Sequence, residues 1–161
     1  MPRKRQLDPD FWKDGEISHL KDKIKLFYLG TWNFADDHGV IPNKPQELRV
    51  QIFPYNPQVK IEKYIEELIN CGKENDKNGW GKLVSYEVDK KKYLWIKNFL
   101  KHQKIDYPTY KYPISESIQQ EIASIQRDLA TNRESRVEKN RVELPEYKKF
   151  NPTAYKKNDK L

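Results

Sequence analysis

The chain has one cysteine, Cys71, and no C-x-x-C pair. That excludes an internal disulfide framework and a cysteine-rich zinc centre. It has only three histidines, His19, His38 and His102, with no H-x-x-x-H spacing to seat a metal. Long hydrophobic runs are missing too: no stretch approaches the roughly 18 apolar residues of a membrane-spanning helix. The basic opening, MPRKRQLDPDFW, has no apolar segment behind it and does not read as a secretory signal. No internal repeat, phosphate-binding loop or nucleophile motif is present, so an enzyme is the least supported class. These absences predict a cytoplasmic protein without cofactor, metal or membrane partner, and without catalytic residues.

What the chain does have is charge. Of its 161 residues, 34% are charged, and the formal net charge is +7. An excess of that sign favours acidic partners, nucleic acid first among them. The excess is spread along the chain and not gathered in one tail. Residues 1–102 hold all four tryptophans. Residues 103–114, QKIDYPTYKYPI, alternate Tyr and Pro and predict an extended arm, because proline fixes φ and drives its predecessor out of the helical region. Residues 115–130 carry a helical pattern, and residues 131–161 are a polar tail expected to be disordered or loosely attached.

The order of elements follows from local signals. Leu20, Ile24, Phe27, Tyr28, Thr31, Trp32 and Ala35 recur at helical spacing, with Asp22 as a cap. Leu26, Leu29 and Phe34 lie off that stripe, which predicts a central helix covered on several sides. Gly30 costs such a helix about 1 kcal/mol relative to Ala, and a tight helix crossing there would account for it. Asp36-Asp37-His38-Gly39 ends the helix, and Val40-Ile41 form a short strand or extended link. Pro45 opens a second helix and Pro54 stops it. A third runs from about Lys60 to Cys71, closed by Gly72. The β-prone segments 83–88 and 93–96, joined by Asp89-Lys90-Lys91-Lys92, predict a hairpin. The fold class expected is α+β and mostly helical. It is a winged helix-turn-helix of three helices plus a β-hairpin wing, followed by an additional helix and the polar tail.

Three stretches in combination carry a resemblance: LFYLGTWNFADDHGVI at 26–41, QIFPY at 51–55, and YEVDKKKYLWIKNFLKHQKI at 86–105. Together they resemble the N-terminal winged-helix domain of phage replisome-organiser proteins, relatives of the DnaD-type primosome proteins, over roughly residues 3–113. The resemblance implies DNA binding or replisome assembly in phage or prophage replication initiation, with no catalytic chemistry in this domain.

Candidate DNA contacts are weighed against plainer roles. Lys90, Lys91 and Lys92 at the expected wing tip can reach phosphates, although lysine is also common at exposed turns. Lys101, His102 and Lys104 follow the wing, with His102 either facing a phosphate or packing. Arg3, Lys4 and Arg5 resemble a minor-groove arm. Lys60 and Lys63 open the third helix, whose other polar positions, Glu62, Glu66, Glu67 and Asn70, make it a poor phosphate-facing surface. Tyr107, Tyr110 and Tyr112, with Lys111 among them, either stack on single-stranded bases or lie along the domain surface or a partner subunit, and packing is preferred. Asp36, Asp37 and His38 are read as a solvated helix end and not as a metal or acid–base site. Trp12, Trp32 and Trp95 are expected in the core and Trp80 exposed. The narrow stripe Ile118, Ile122, Ile125 and Leu129 suits either docking on the domain or self-association into a homo-oligomer, the latter being preferred. The partner expected is DNA, duplex before single strand, with a replication protein as a possible second partner. A protein–protein adaptor or inhibitor of a host factor, and a transcriptional regulator, are the alternatives.

Overall fold

The computed structural model describes residues 2–142, with side chains described through Arg136. It divides into two units, Met1–Gln126 and Arg127–Leu161.

The first unit is α+β. A 3-10 turn, Pro9–Lys13, precedes a one-turn helix α1 (Gly15–Ser18), which the Asp14 carboxylate caps by accepting from the Glu16 and Ile17 N–H groups. Then come α2 (Asp22–Phe34), β1 (Val40–Pro42), α3 (Pro45–Ile52) and α4 (Ile61–Asn70). A second 3-10 turn, Lys73–Asn75, leads to β2 (Leu83–Val88) and β3 (Lys91–Ile96). The unit closes with α5 (Phe99–His102), an extended arm and the start of α6 (Glu116–Val142). The strands form one antiparallel sheet in the order β1-β3-β2. Val40–Pro42 is thus a third strand, pairing Val40 with Trp95.

Local chemistry sets the element ends as the residues predict. Pro45 fills the first turn of α3, where its missing N–H is harmless. Gly72, at φ 76°, terminates the α4 region in the left-handed conformation. Gly30 lets α3 approach α2: a Cβ there would lie 2.7 Å from Ile52 Cγ2. The core gathers Phe27 and Ile24 of α2, Leu48 of α3, Ile61, Ile65 and Leu68 of α4, and Leu83, Leu94 and Ile96 of the sheet. Each such large side chain, fully buried, stabilises by about 1.5–3 kcal/mol. The sheet is covered on its other face as well. Trp95 meets Trp80 edge-on at 5.8 Å, and Tyr93 meets Tyr112 at 6.0 Å.

Several expectations need correction. Trp12 is 65% exposed and Leu26 57%, so neither is core and α2 keeps one face in solvent. Trp80 is half-buried, because the loop 73–82 is folded: the Asp76 carboxylate accepts from Asn78 and Trp80 N–H and ion-pairs with Lys97. Ile118, Ile122 and Ile125 are buried within the first unit, 1–4% exposed, so they are not free for self-association. Lys77 and Asn78 both reach Glu121, which fastens the helix start to the loop. Leu129 falls in the second unit and is half-buried. Residues 131–142, expected to be disordered, continue α6, with Ser135 Oγ donating to the Thr131 carbonyl at 3.0 Å. Strong helix formers such as Arg and Glu extend the helix without an apolar stripe. The rest of the expected tail, 143–161, lies outside the described residues.

Candidate nucleic-acid interface

The hairpin is tighter than its lysine run suggests. Val88 pairs with Lys91, so only Asp89 and Lys90 form the turn. Both have positive φ, 50° and 61°. That is the signature of a two-residue turn whose twist matches the strands, a position where Asn-Gly is favoured. The expected tip of three lysines is therefore corrected: Lys90 is at the tip, while Lys91 and Lys92 open β3. All three are exposed, and none makes an ion pair among the described residues. Lys92 stands opposite Glu87 in the ladder. Lys91 shares the strand face of Tyr93 and Trp95.

The segment after β3 divides. Lys101 and Lys104 are exposed. The His102 ring stacks on Trp32 at 6.4 Å and is half-buried, which is the packing alternative. Lys60, just before α4, and Lys63 on it are exposed, but so are Glu62, Glu66 and Glu67. The exposed face of α4 is acidic on balance.

The N-terminal segment is not a free arm. Its backbone runs against α2, Arg3 N–H donating to the Asn33 carbonyl at 2.7 Å. Gln6 and the buried Gln103 exchange two hydrogen bonds, 3.0 and 2.7 Å. Arg5 donates to the carbonyls of Trp32 and Ala35 and to Asp37 Oδ1 at 2.9 Å, and its side chain is 7% exposed. The guanidinium also lies 5.0 Å over the Phe99 ring. Arg3 pairs with Asp37 Oδ2. Of the three basic residues expected as a groove-reading arm, Lys4 alone is exposed, and Arg3 and Arg5 are half-buried.

The acceptor at the centre of this is the turn after α2, which is not solvated. Asp36 and Asp37 are 2% and 0% exposed. Asp36 Oδ1 accepts from His38 and Val40 N–H, closing the turn. Its Oδ2 accepts from Lys111 and Tyr112 N–H at 3.0 and 3.2 Å, holding the Tyr/Pro arm. Asp37 accepts from Arg3, Arg5 and Thr109 N–H, and its own N–H donates to the Thr109 carbonyl at 3.3 Å. The two carboxylates thus clamp both flanks of the chain to one turn, and every oxygen has a donor. Burial alone would raise the Asp37 pKa; the Thr109 N–H and the two guanidinium groups outweigh it and hold the carboxyl below its usual range. The His38 ring stacks on Tyr110 at 3.6 Å. Burial pushes the His38 pKa down against the pull of Asp36 and Asp37. Tyr112 lies near Tyr93 at 6.0 Å and Tyr86 donates to the Pro113 carbonyl at 2.8 Å, so the arm is tethered from Thr109 to Pro113 although Tyr110 stays 50% exposed. Tyr107 is 92% exposed.

Lys44 escapes the sequence reading, and Lys111 stands in it only as the lysine among the arm tyrosines. Lys44 and Lys111, 67 positions apart, line one cavity of about 160 Å³ with Arg3, Tyr112, Asp36 and Glu47. A lone lysine beside a proline carries no local signal; the Asp36 clamp holds Lys111 and the link from β1 to α3 places Lys44. Lys82, likewise unmarked, lies 2.6 Å from Asp14 and 2.8 Å from Glu16 and serves the fold.

Compared with protein-family models, curated proteins and solved structures, the chain matches none. Among the described residues no helix is long and apolar enough to cross a membrane.

Proposed function

We propose that the chain is a non-enzymatic DNA-binding protein of the winged-helix type that assists initiation of phage or prophage DNA replication. The observation that carries DNA binding is the hairpin with Lys90, Lys91 and Lys92 exposed and unpaired among the described residues. Three helices followed by a hairpin, in the order α2, β1, α3, α4, β2, β3, support the winged-helix assignment. The role in replication rests on the resemblance of residues 3–113 to the replisome-organiser family. Binding is electrostatic and dominated by phosphate contacts, because α4 presents acid where a groove-reading helix presents donors and cations.

That same acidic face of α4, with Glu62, Glu66 and Glu67 exposed, favours a second reading: an adaptor that binds a basic protein surface and not DNA. Binding of the full-length protein to labelled random duplex and single-stranded DNA at two salt concentrations separates them. The proposed function predicts duplex binding that weakens steeply with salt. An adaptor gives no binding at low salt. Preference for one site over random DNA by several orders of magnitude points instead to a transcriptional regulator.

A further inference from the structure

The cavity between the end of α2, α3 and the two flanking arms, with Pro42 of β1 at its edge, carries further basic residues. Lys92 is tied to the residue before Lys44: Asn43 N–H donates to the Lys92 carbonyl at 2.9 Å. Lys44 is in turn the residue preceding α3, its side chain about 60% exposed and 2.7 Å from Glu47. Lys111 is exposed across the same cavity, and the Asp36 carboxylate fixes its backbone. Tyr112 packs on Tyr93, on the strand face shared with Lys91. Three segments remote in sequence therefore bring Lys91, on the face of Tyr93 and Tyr112, together with Lys44 and Lys111, while Lys92 joins them through its backbone. The two buried carboxylates here are already engaged. All four lone-pair sites used by Asp36 face backbone N–H groups. Asp37 is engaged by Arg3 and Arg5. Glu47 competes through an exposed pair with Lys44, and Glu87 stands exposed opposite Lys92.

We propose that Lys44 and Lys111 continue the hairpin's phosphate-binding surface, so that a nucleic-acid backbone crosses from Lys91 over the cavity to the Tyr/Pro arm. This rests on the DNA-binding function proposed above.

The test uses full-length Lys44→Ala/Lys111→Ala and Glu47→Gln, with random duplex DNA across a salt series and thermal melting as a control. The double variant should melt as the parent does and lower the slope of log K against log salt by about 1 for each lysine removed. Glu47→Gln should strengthen binding by releasing Lys44. A parent that binds with a double variant of equal affinity and slope overturns the extended surface while leaving the hairpin assignment standing. A parent that binds no duplex at low salt overturns both.

Discussion

The chain contains two basic triplets, Arg3-Lys4-Arg5 and Lys90-Lys91-Lys92, and the fold treats them oppositely. The first lies against a buried carboxylate: Arg5 is 7% exposed on Asp37, which is fully buried. The second stands on a hairpin with no anionic partner among the described residues. The difference is not one of composition but of what the rest of the chain brings within reach. Asp37 sits at the end of α2, where the arm passes; Glu87, the residue opposite Lys92, stays in solvent. A run of positive charge becomes a ligand surface only where the fold leaves it unpaired.

The largest effect expected is at the clamp. Asp37→Ala leaves Arg5 buried without its counter-charge and removes the acceptor for Thr109 N–H. Loss of a partner from a buried pair destabilises by about 3–5 kcal/mol, which a urea midpoint detects. Lys4→Ala, one residue from Arg5 and exposed, should leave that midpoint unchanged. Acid sharpens the contrast next. The folded pKa of Asp37 is depressed, so its contribution to stability is present above the unfolded value and lost as pH falls through the lower folded one. Burial opposes that shift also at Asp14 and Asp76, and their lysine partners and backbone N–H groups overcome it. Stability should therefore fall below about pH 4, and Asp37→Asn should flatten that fall. Urea midpoints between pH 2 and 6 measure it.

A smaller and opposite effect is expected at the hairpin tip. Lys90 holds a left-handed φ of 61° that favours glycine. Lys90→Gly should raise stability by about 0.5 kcal/mol while weakening DNA binding. A rise in stability with unchanged binding would remove Lys90 from the interface.

Element boundaries were legible because their signals are local. Pro45, Pro54 and Gly72 act on their own backbone, and the strand pattern of 83–88 is read from six consecutive residues. The fate of charges was not, because it depends on partners far along the chain. Arg5 meets Asp37 across 32 positions, and Lys111 meets Asp36 across 75. Asp36-Asp37-His38 reads locally as a polar helix end, and nothing local shows that two flanking segments cover it. The same limit explains Ile118, Ile122 and Ile125, whose narrow stripe is equally suited to a partner copy or to the chain's own surface. The lysine run misplaces the turn because polar residues mark turns, whereas the ladder needs only Asp89 and Lys90 for it.

The central claim is that one triplet serves binding and the other serves the fold. The most direct measurement compares full-length Lys90→Ala/Lys91→Ala/Lys92→Ala with Arg3→Ala/Arg5→Ala, scoring each for duplex affinity at two salt concentrations and for melting temperature. The account predicts that the hairpin variant keeps its melting temperature and loses affinity and salt dependence, while the arm variant melts several degrees lower. A hairpin variant that binds duplex as tightly as the parent at both salts would contradict it.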